Sequence, residues 1–177
     1  MFAARLRVRH AALPLAVLLA ACASAPVPAP LPPPRPVPTP AAMVAAIQTA
    51  GASEESVIAV HPLADPGIDV WKATAEADVQ AGQYAAAALK LDQALGRSPD
   101  SPELLQDRAE VAIYQHDYAQ AQKLAQESWT LGPKLGPLCA RNWETIAQTR
   151  LADADDAGVA TARKWVAKCH VQGIQRF

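Results

Sequence analysis

Three cysteines are the residues of this 177-residue sequence with the most distinctive chemistry. Cys22 directly follows a short apolar run, whereas Cys139 and Cys169 lie near the end of the chain. A thiol can carry a lipid anchor, and two thiols can be oxidised to a disulfide. Which of these applies depends on whether the chain is exported and on the elements that position the cysteines.

The other polar residues do not form a recognisable catalytic set. The sequence has no HExxH, no GxSxG and no phosphate-binding glycine loop. Asp153, Asp155 and Asp156 offer carboxylates to a cation, but a solvated turn that caps the next helix explains them more simply. We therefore predict that the protein is not an enzyme and has no catalytic residue, cofactor or metal. A metal-dependent site at these aspartates is the competing hypothesis.

Residues 1–21 have the pattern of a cleaved export signal. Three arginines give a positive start, and the apolar run at 11–20 is shorter than the roughly 20 residues that a membrane-spanning helix needs. The run ends in Leu19-Ala20-Ala21-Cys22, which resembles the lipobox of bacterial lipoproteins. This resemblance implies cleavage before Cys22, lipidation of its thiol and acylation of the new N-terminus. Because Ala23 rather than Asp follows, it also implies the outer membrane, with the rest of the chain facing the periplasm.

A proline-rich segment follows the lipidation site. Nine of the sixteen prolines lie between Pro26 and Pro40. Proline fixes φ and disfavours helical backbone in the residue before it, so residues 22–40 are predicted to be a disordered, extended tether. At about 3.1 Å per residue, its residues 24–40 would reach roughly 50 Å. The alternative is a PxxP ligand for an SH3-like domain.

Residues 41–65 are assigned only uncertain short elements. The stretch 41–50 is compatible with a short helix, and 56–60 with an extended segment. Both are too short for a firm assignment. This region could pack on the domain that follows or even occupy its groove.

From residue 66 onward, the sequence repeats with a period of 34 residues. The segments GQYAAAALKLDQALGRSP and HDYAQAQKLAQESWTLGP align without a gap, which places Tyr84 over Tyr118 and Pro99 over Pro133. Small residues recur where two helices would cross closely, and each proline would stop a helix. The repeat therefore predicts helical hairpins.

The spacing of these residues resembles the tetratricopeptide repeat. The resemblance implies an all-α fold, a tetratricopeptide-like α-solenoid of about three antiparallel hairpins over residues 66–177. Asp65 and Ser101 each precede a proline and, with Asp117, are predicted helix caps. A third unit around Trp143 is degenerate, as expected of a terminal repeat.

The third hairpin also places the two remaining cysteines. Cys139 begins its first helix and Cys169 ends its second, so the open ends of the hairpin bring them together. An even pair of cysteines in an exported protein predicts a disulfide. Closing this loop would contribute about 3–4 kcal/mol in the chain-entropy model. Two buried free thiols are the alternative.

Tetratricopeptide domains bind partners in a groove that is lined by the first helix of each hairpin. Carried over slot by slot, the predicted groove residues are Lys72, Glu76, Gln80, Gln106, Glu110, Tyr114, Glu144 and Gln148. Further slots fall on Asp69, Val79, Glu103, Ile113, Arg141 and Leu151. Tyr114 is the predicted anchor, because tyrosine is enriched among binding hot spots.

The order of lipobox, proline-rich tether and small repeat domain is similar to that of outer-membrane lipoproteins that activate bifunctional peptidoglycan synthases. The resemblance implies a membrane-anchored protein–protein interaction module whose partner is a class A penicillin-binding protein. The alternative is an assembly scaffold or pilotin for pili, secretion or outer-membrane biogenesis. Without residues 1–21, the chain has 13 basic and 17 acidic residues, a net charge of about −4, which argues against nucleic acid as a partner.

Overall fold

The structure is a computed structural model that describes residues 36–54 and 65–170. Within these ranges the chain forms seven helices and no strand, so the predicted all-α fold is confirmed. The helices are α1 (Pro40–Ala52), α2 (Pro66–Gln80), α3 (Tyr84–Arg97), α4 (Pro102–Tyr114), α5 (Tyr118–Leu131), α6 (Pro137–Ala152) and α7 (Asp156–Lys168). The predicted export signal, Cys22 and the extended segment at 56–60 lie outside the described residues. Among the described helices, none is both long and apolar enough to cross a membrane.

The six helices from α2 onward pair as three hairpins. Helix α2 packs against α3, α4 against α5, and α6 against α7, while α3–α4 and α5–α6 contacts stack one hairpin on the next. Contacts between neighbouring units are the defining feature of a solenoid. The predicted tetratricopeptide-like α-solenoid of three hairpins is therefore confirmed.

Local sequence signals determine where the helices begin. The side chains of Asp65, Ser101 and Asp117 each accept a hydrogen bond from a backbone N–H in the first turn of α2, α4 and α5, as predicted. Such caps satisfy N–H groups that have no partner within the helix. Proline occupies the first helical position of α2 and α4, where its missing N–H costs nothing.

One residue with positive φ reverses the chain inside each hairpin. Gly82, His116 and Ala154 have φ values of 72°, 60° and 57°. Glycine adopts this backbone region without steric cost, whereas His116 and Ala154 do so under strain. The turn of each of the three hairpins therefore has one residue with positive φ, and only in the first hairpin is that residue glycine.

Alanines form the contact surfaces between the helices. Ala87, Ala94, Ala109 and Ala121 are all fully buried. Arg108 stands where a large apolar residue is usual in this repeat, and it is also buried. Its Nε donates a 2.8 Å hydrogen bond to Asp92 Oδ1, so the buried charge has a partner.

Helix α1 lies across the first helices of the second and third hairpins. It packs against α6 and α4, and Met43 and Ile47 are fully buried in a cluster that includes Ala112 and Ile113 of α4. Its last turn lies beside the first turn of α6, because the space next to Gly51 is filled by Arg141. The first part of the segment that the sequence left open, up to Ala52, is thus a helix that packs in the groove.

A disulfide and a tryptophan cluster close the third hairpin. Cys139 and Cys169 are bonded, with 5.6 Å between their Cα atoms, and both are buried. Trp143 of α6 stacks on Trp165 of α7 with 5.1 Å between ring centroids, and Trp129 of α5 meets both rings edge-on. These contacts tie α6 to α7 and to α5.

Candidate protein-binding groove

The concave face of α4 carries a row of carboxylates, which we name the acidic stripe. It consists of Glu103, Asp107 and Glu110, and Tyr114 continues it by one more turn. Spacings of four, three and four residues place all four side chains on one face of a helix. The stripe is the polar floor of the groove.

The carboxylate of Glu110 is the most enclosed of the stripe. Only 6% of the residue is exposed, and its Oε1 accepts hydrogen bonds from Gln106 Nε2 at 2.9 Å and from Arg141 Nη2 at 2.7 Å. Gln48 of α1 donates to its other oxygen. Burial raises the pKa of Glu110, and the positive charge of Arg141 opposes that rise.

Arg141 links the stripe to α6. Its Nη2 lies 2.8 Å from Asp107 Oδ1 as well as 2.7 Å from Glu110 Oε1. Burial disfavours its positive charge, but the attraction of the two carboxylates outweighs burial and raises its pKa. The buried ions therefore form a paired network rather than an isolated charge.

Lys72 links the stripe to α2 from the more open side. Its Nζ lies 3.5 Å from Asp107 and 3.7 Å from Glu103. The Lys72 side chain is 28% exposed and that of Glu103 is 57% exposed, so water weakens this ion pair more than those of Arg141. The first helices of all three hairpins are thus joined through the α4 carboxylates.

Tyr114, one turn beyond Glu110 on α4, belongs to a stacked pair of tyrosines. Its ring stacks on Tyr84 of α3 with centroids 4.5 Å apart and planes at 4°. Burial raises the pKa of the Tyr114 hydroxyl, and the neighbouring Tyr84 and Glu110 add to the rise. A half-buried tyrosine whose ring is held by stacking and lines an open cavity is suited to anchor a partner.

An open cavity of about 440 Å³ lies between α1, α2 and α4. Its apolar floor comes from Ala75, Val79, Leu91 and Val111. Its polar rim comes from Gln48, Lys72, Glu76, Gln80, Asp107, Glu110, Tyr114 and Arg141, and Val44 of α1 completes one wall. A hollow with an apolar floor and a polar, charged rim can receive one or two side chains of another protein.

The structure brings five of the eight predicted groove residues to this cavity. They are Lys72, Glu76, Gln80, Glu110 and Tyr114. Gln106 is fully buried behind the stripe, where its Nε2 also donates to Thr145 Oγ1 at 2.8 Å. It supports Glu110 and does not face a partner.

The remaining two predicted residues, Glu144 and Gln148, are not open to a partner. Only 8% and 4% of them are exposed, and Gln148 Nε2 donates to Glu144 Oε1 at 2.6 Å. They lie on α6, the helix against which α1 packs. The groove assignment for the third unit did not anticipate a helix from outside the repeats on this part of the concave face.

Sequence reasoning missed Asp107 and the contribution of α1. Asp107 falls outside the slots that tetratricopeptide domains use most, although its spacing from Glu103 and Glu110 was a signal for a shared helix face. Val44 and Gln48 precede the repeats and carry no repeat signature. Only a contact between residues distant in sequence places them in the groove.

Asp155, in the turn between α6 and α7, has a structural role. Asp155 caps α7 by accepting a 2.9 Å hydrogen bond from Gly158 N, and its Oδ2 lies 3.3 Å from Arg150 Nη1. No group of three or more His, Cys, Asp or Glu side chains in the described ranges is arranged to hold a metal ion. The capped turn accounts for Asp155 without a cation.

Comparisons with known proteins agree with this architecture. The family model "Tetratricopeptide repeat" matches residues 78–134. A solved structure, "Structure of the globular C-terminal domain of P. aeruginosa LpoP", is 32% identical with a TM-score of 0.56, and the similarity covers 59% of this chain and 98% of that one. Curated protein sequences give no match.

The match, together with the three hairpins and their concave groove, defines the class. The chain belongs to the tetratricopeptide-repeat family, whose fold and LpoP-like structure are those of an interaction module. Within that class it is similar to LpoP of P. aeruginosa. The resemblance to outer-membrane lipoprotein activators of peptidoglycan synthases, predicted from the sequence, is thereby confirmed.

Proposed function

We propose that this protein is a membrane-anchored interaction module that activates a bifunctional peptidoglycan synthase of the cell envelope. The observation that carries the proposal is the 32% identity to the LpoP domain over 98% of that domain. The partner on this proposal is a class A penicillin-binding protein, and no nucleic acid is involved. The protein itself contributes no catalytic group.

The groove supports a binding role of this kind. The acidic stripe, Arg141 and Lys72 join three helices through paired charges, so the rim of the open cavity is held in place before a partner arrives. A preorganised surface loses less conformational freedom on binding than a mobile one. On this proposal, Tyr114 and the cavity beside it hold a segment of the synthase and favour its active state.

The anchor and tether belong to the same proposal. Lipidation at Cys22 and an outer-membrane location would fix one end of the chain, and the prolines of residues 22–40 would hold the domain in the periplasm. A tether of roughly 50 Å would let the domain meet a synthase that is bound to another membrane. The sequence pattern at Leu19–Cys22 supports this arrangement.

The direct test is glycan polymerisation by a purified class A penicillin-binding protein of the same cell, with and without the lipidated full-length protein. We expect the protein to accelerate polymerisation and a Tyr114→Ala variant to do so much less. A matched Tyr118→Ala variant truncates a tyrosine that does not line the cavity and should retain activation. An unchanged polymerisation rate and no complex with any synthase would refute the proposal. Recovery of pilus, secretion or outer-membrane assembly components instead would favour the scaffold alternative.

A further inference from the structure

The carboxylates of the acidic stripe are contacted by hydrogen-bond donors from three other helices. Lys72 reaches it from α2, Arg141 from α6 and Gln48 from α1. These three donors come from three different helices, and each brings an N–H group to a carboxylate. Electrostatic complementarity at such a surface favours donor and cationic groups over acceptors.

Glu76 also lines the open cavity, but none of these three donors bonds to its carboxylate. It is exposed on α2, one turn beyond Lys72, and it has no hydrogen bond or ion pair to any residue in the described part of the chain. Asp107 and Glu110, by contrast, are already engaged by Lys72 and Arg141. Glu76 is thus the carboxylate that an incoming cation can reach at least cost.

The charges around the cavity have a negative balance. Five charged side chains at its rim carry two positive and three negative charges: Lys72, Arg141, Glu76, Asp107 and Glu110. Glu103, which pairs with Lys72 at the edge, adds a further negative charge. An anionic segment would meet this surface with net repulsion, and a basic one with net attraction.

The shape of the cavity fits a side chain that is apolar along its length and charged at its end. Val79, Leu91 and Val111 supply an apolar floor, and the ring of Tyr114 supplies an aromatic wall. The stems of lysine and arginine pack on apolar surface while the charged end stays at a polar rim, and both cations are attracted to aromatic rings.

We propose that the open cavity recognises a lysine or arginine side chain on the partner segment, with its stem on Val79 and Leu91 and its charge at Glu76. Helix α1 is part of this site, because Val44 and Gln48 form the wall opposite α2. This inference rests on the proposed function for the identity of the partner. The chemistry of the site does not depend on it.

The test uses short acetylated alanine-based peptides that differ only in a central arginine, leucine or glutamate. Binding to the isotope-labelled full-length protein is followed by NMR titration at the resonances of Glu76 and Tyr114. An exposed charge pair contributes only a modest gain, so we expect the arginine peptide to bind about fivefold more tightly than the leucine peptide. The glutamate peptide should bind most weakly.

Two charge-reversal variants separate the site from general electrostatics. Glu76→Lys should abolish or invert the preference for arginine. Asp100→Lys makes the same change in net charge at an exposed turn that does not line the cavity, and it should leave the preference intact. Thermal unfolding checks that both variants fold.

Three outcomes would overturn the inference: equal binding of the three peptides, no shift with any of them, or a preference for arginine that survives Glu76→Lys. None of these outcomes bears on activation of the synthase, because the peptides contain no part of it. Conversely, a failed polymerisation assay would refute the proposed function and leave the peptide result standing.

Discussion

Ala154 has a backbone conformation that glycine would adopt at lower cost. Its φ of 57° lies in the left-handed region, where a Cβ atom clashes with the backbone. The first hairpin has Gly82 at the corresponding turn, with φ 72°. The fold therefore tolerates strain at this turn in the third hairpin.

We expect Ala154→Gly to raise the free energy of unfolding by about 0.5–1 kcal/mol, because relief of the left-handed strain exceeds the added freedom of the unfolded chain. Urea unfolding measures the change. Ala160→Gly, on the exposed face of α7, is the matched control and should lower stability by about 1 kcal/mol. Equal losses in the two variants would contradict the assignment of strain to the turn.

Arg141 pairs with the buried carboxylate of Glu110 and with the partly exposed carboxylate of Asp107. Arg141→Ala leaves Glu110 buried without its cation, so we expect the free energy of unfolding at pH 7 to fall by about 3–5 kcal/mol. Lys72→Ala removes a more exposed cation from the same stripe and should cost less than about 1 kcal/mol. If the two substitutions lowered the free energy of unfolding by similar amounts, the greater burial of Arg141 would not make its ion pairs more important than those of Lys72.

The loss of unfolding free energy caused by Arg141→Ala should depend on pH. Burial already raises the pKa of Glu110, and removal of Arg141 takes away the positive charge that opposes the rise. A carboxyl with a raised pKa binds a proton more readily in the folded state, so the destabilisation should shrink as pH falls toward the unfolded value of 4.5. Urea unfolding between pH 7 and pH 5 measures this trend, and a loss that grows on acidification would contradict it.

At the scale of helices, the repeat was sufficient to predict the three hairpins, in which α2 pairs with α3, α4 with α5 and α6 with α7. The 34-residue spacing of Tyr84 and Tyr118 identified the hairpins, and short-range polar residues such as Asp65 identified helix starts, because both signals act between neighbouring residues. Helix α1 carried neither signal. Its apolar residues do not form a single helical stripe, and its position depends on contacts with α4 and α6 far along the chain.

The same limit explains which of the predicted groove residues line the open cavity. Tyr114 and Glu76 lie in the part of the groove that α1 leaves open, and both line the cavity there. Glu144 and Gln148 occupy equivalent slots on α6, but a helix from outside the repeats packs against α6. A pattern that describes the repeat could not reveal a neighbour that lies outside it.

Gly51 provides a test of how closely α1 packs against α6. A Cβ atom at this position would lie 2.7 Å from Arg141 Cγ, whereas one at Gly96, in the last turn of α3, would meet nothing within 4 Å. We therefore expect Gly51→Ala to lower the free energy of unfolding by about 1–2 kcal/mol through overpacking. Gly96→Ala should raise it by up to about 1 kcal/mol, because alanine favours the helix. Stabilisation by both substitutions would mean that α1 is loosely packed on α6.

For the whole molecule, the helix that follows the proline-rich segment in the sequence is also part of the groove. The N-cap of α1 is Thr39, at the end of the proline-rich segment, and α1 then forms one wall of the open cavity. On the proposed function, the chain that anchors the protein therefore also completes its binding surface. The partner would contact an element that lies between the lipid anchor and the repeats.

Site-specific photocrosslinking in the intact cell envelope tests the central claim most directly. A photoreactive residue at Gln80, which lines the cavity, is compared with one at Gln93, an exposed position of α3 that does not. We predict that position 80 crosslinks to a class A penicillin-binding protein and that position 93 does not. Crosslinks to pilus, secretion or outer-membrane assembly proteins from position 80, or synthase crosslinks of equal yield from both positions, would contradict recognition of a synthase through this groove.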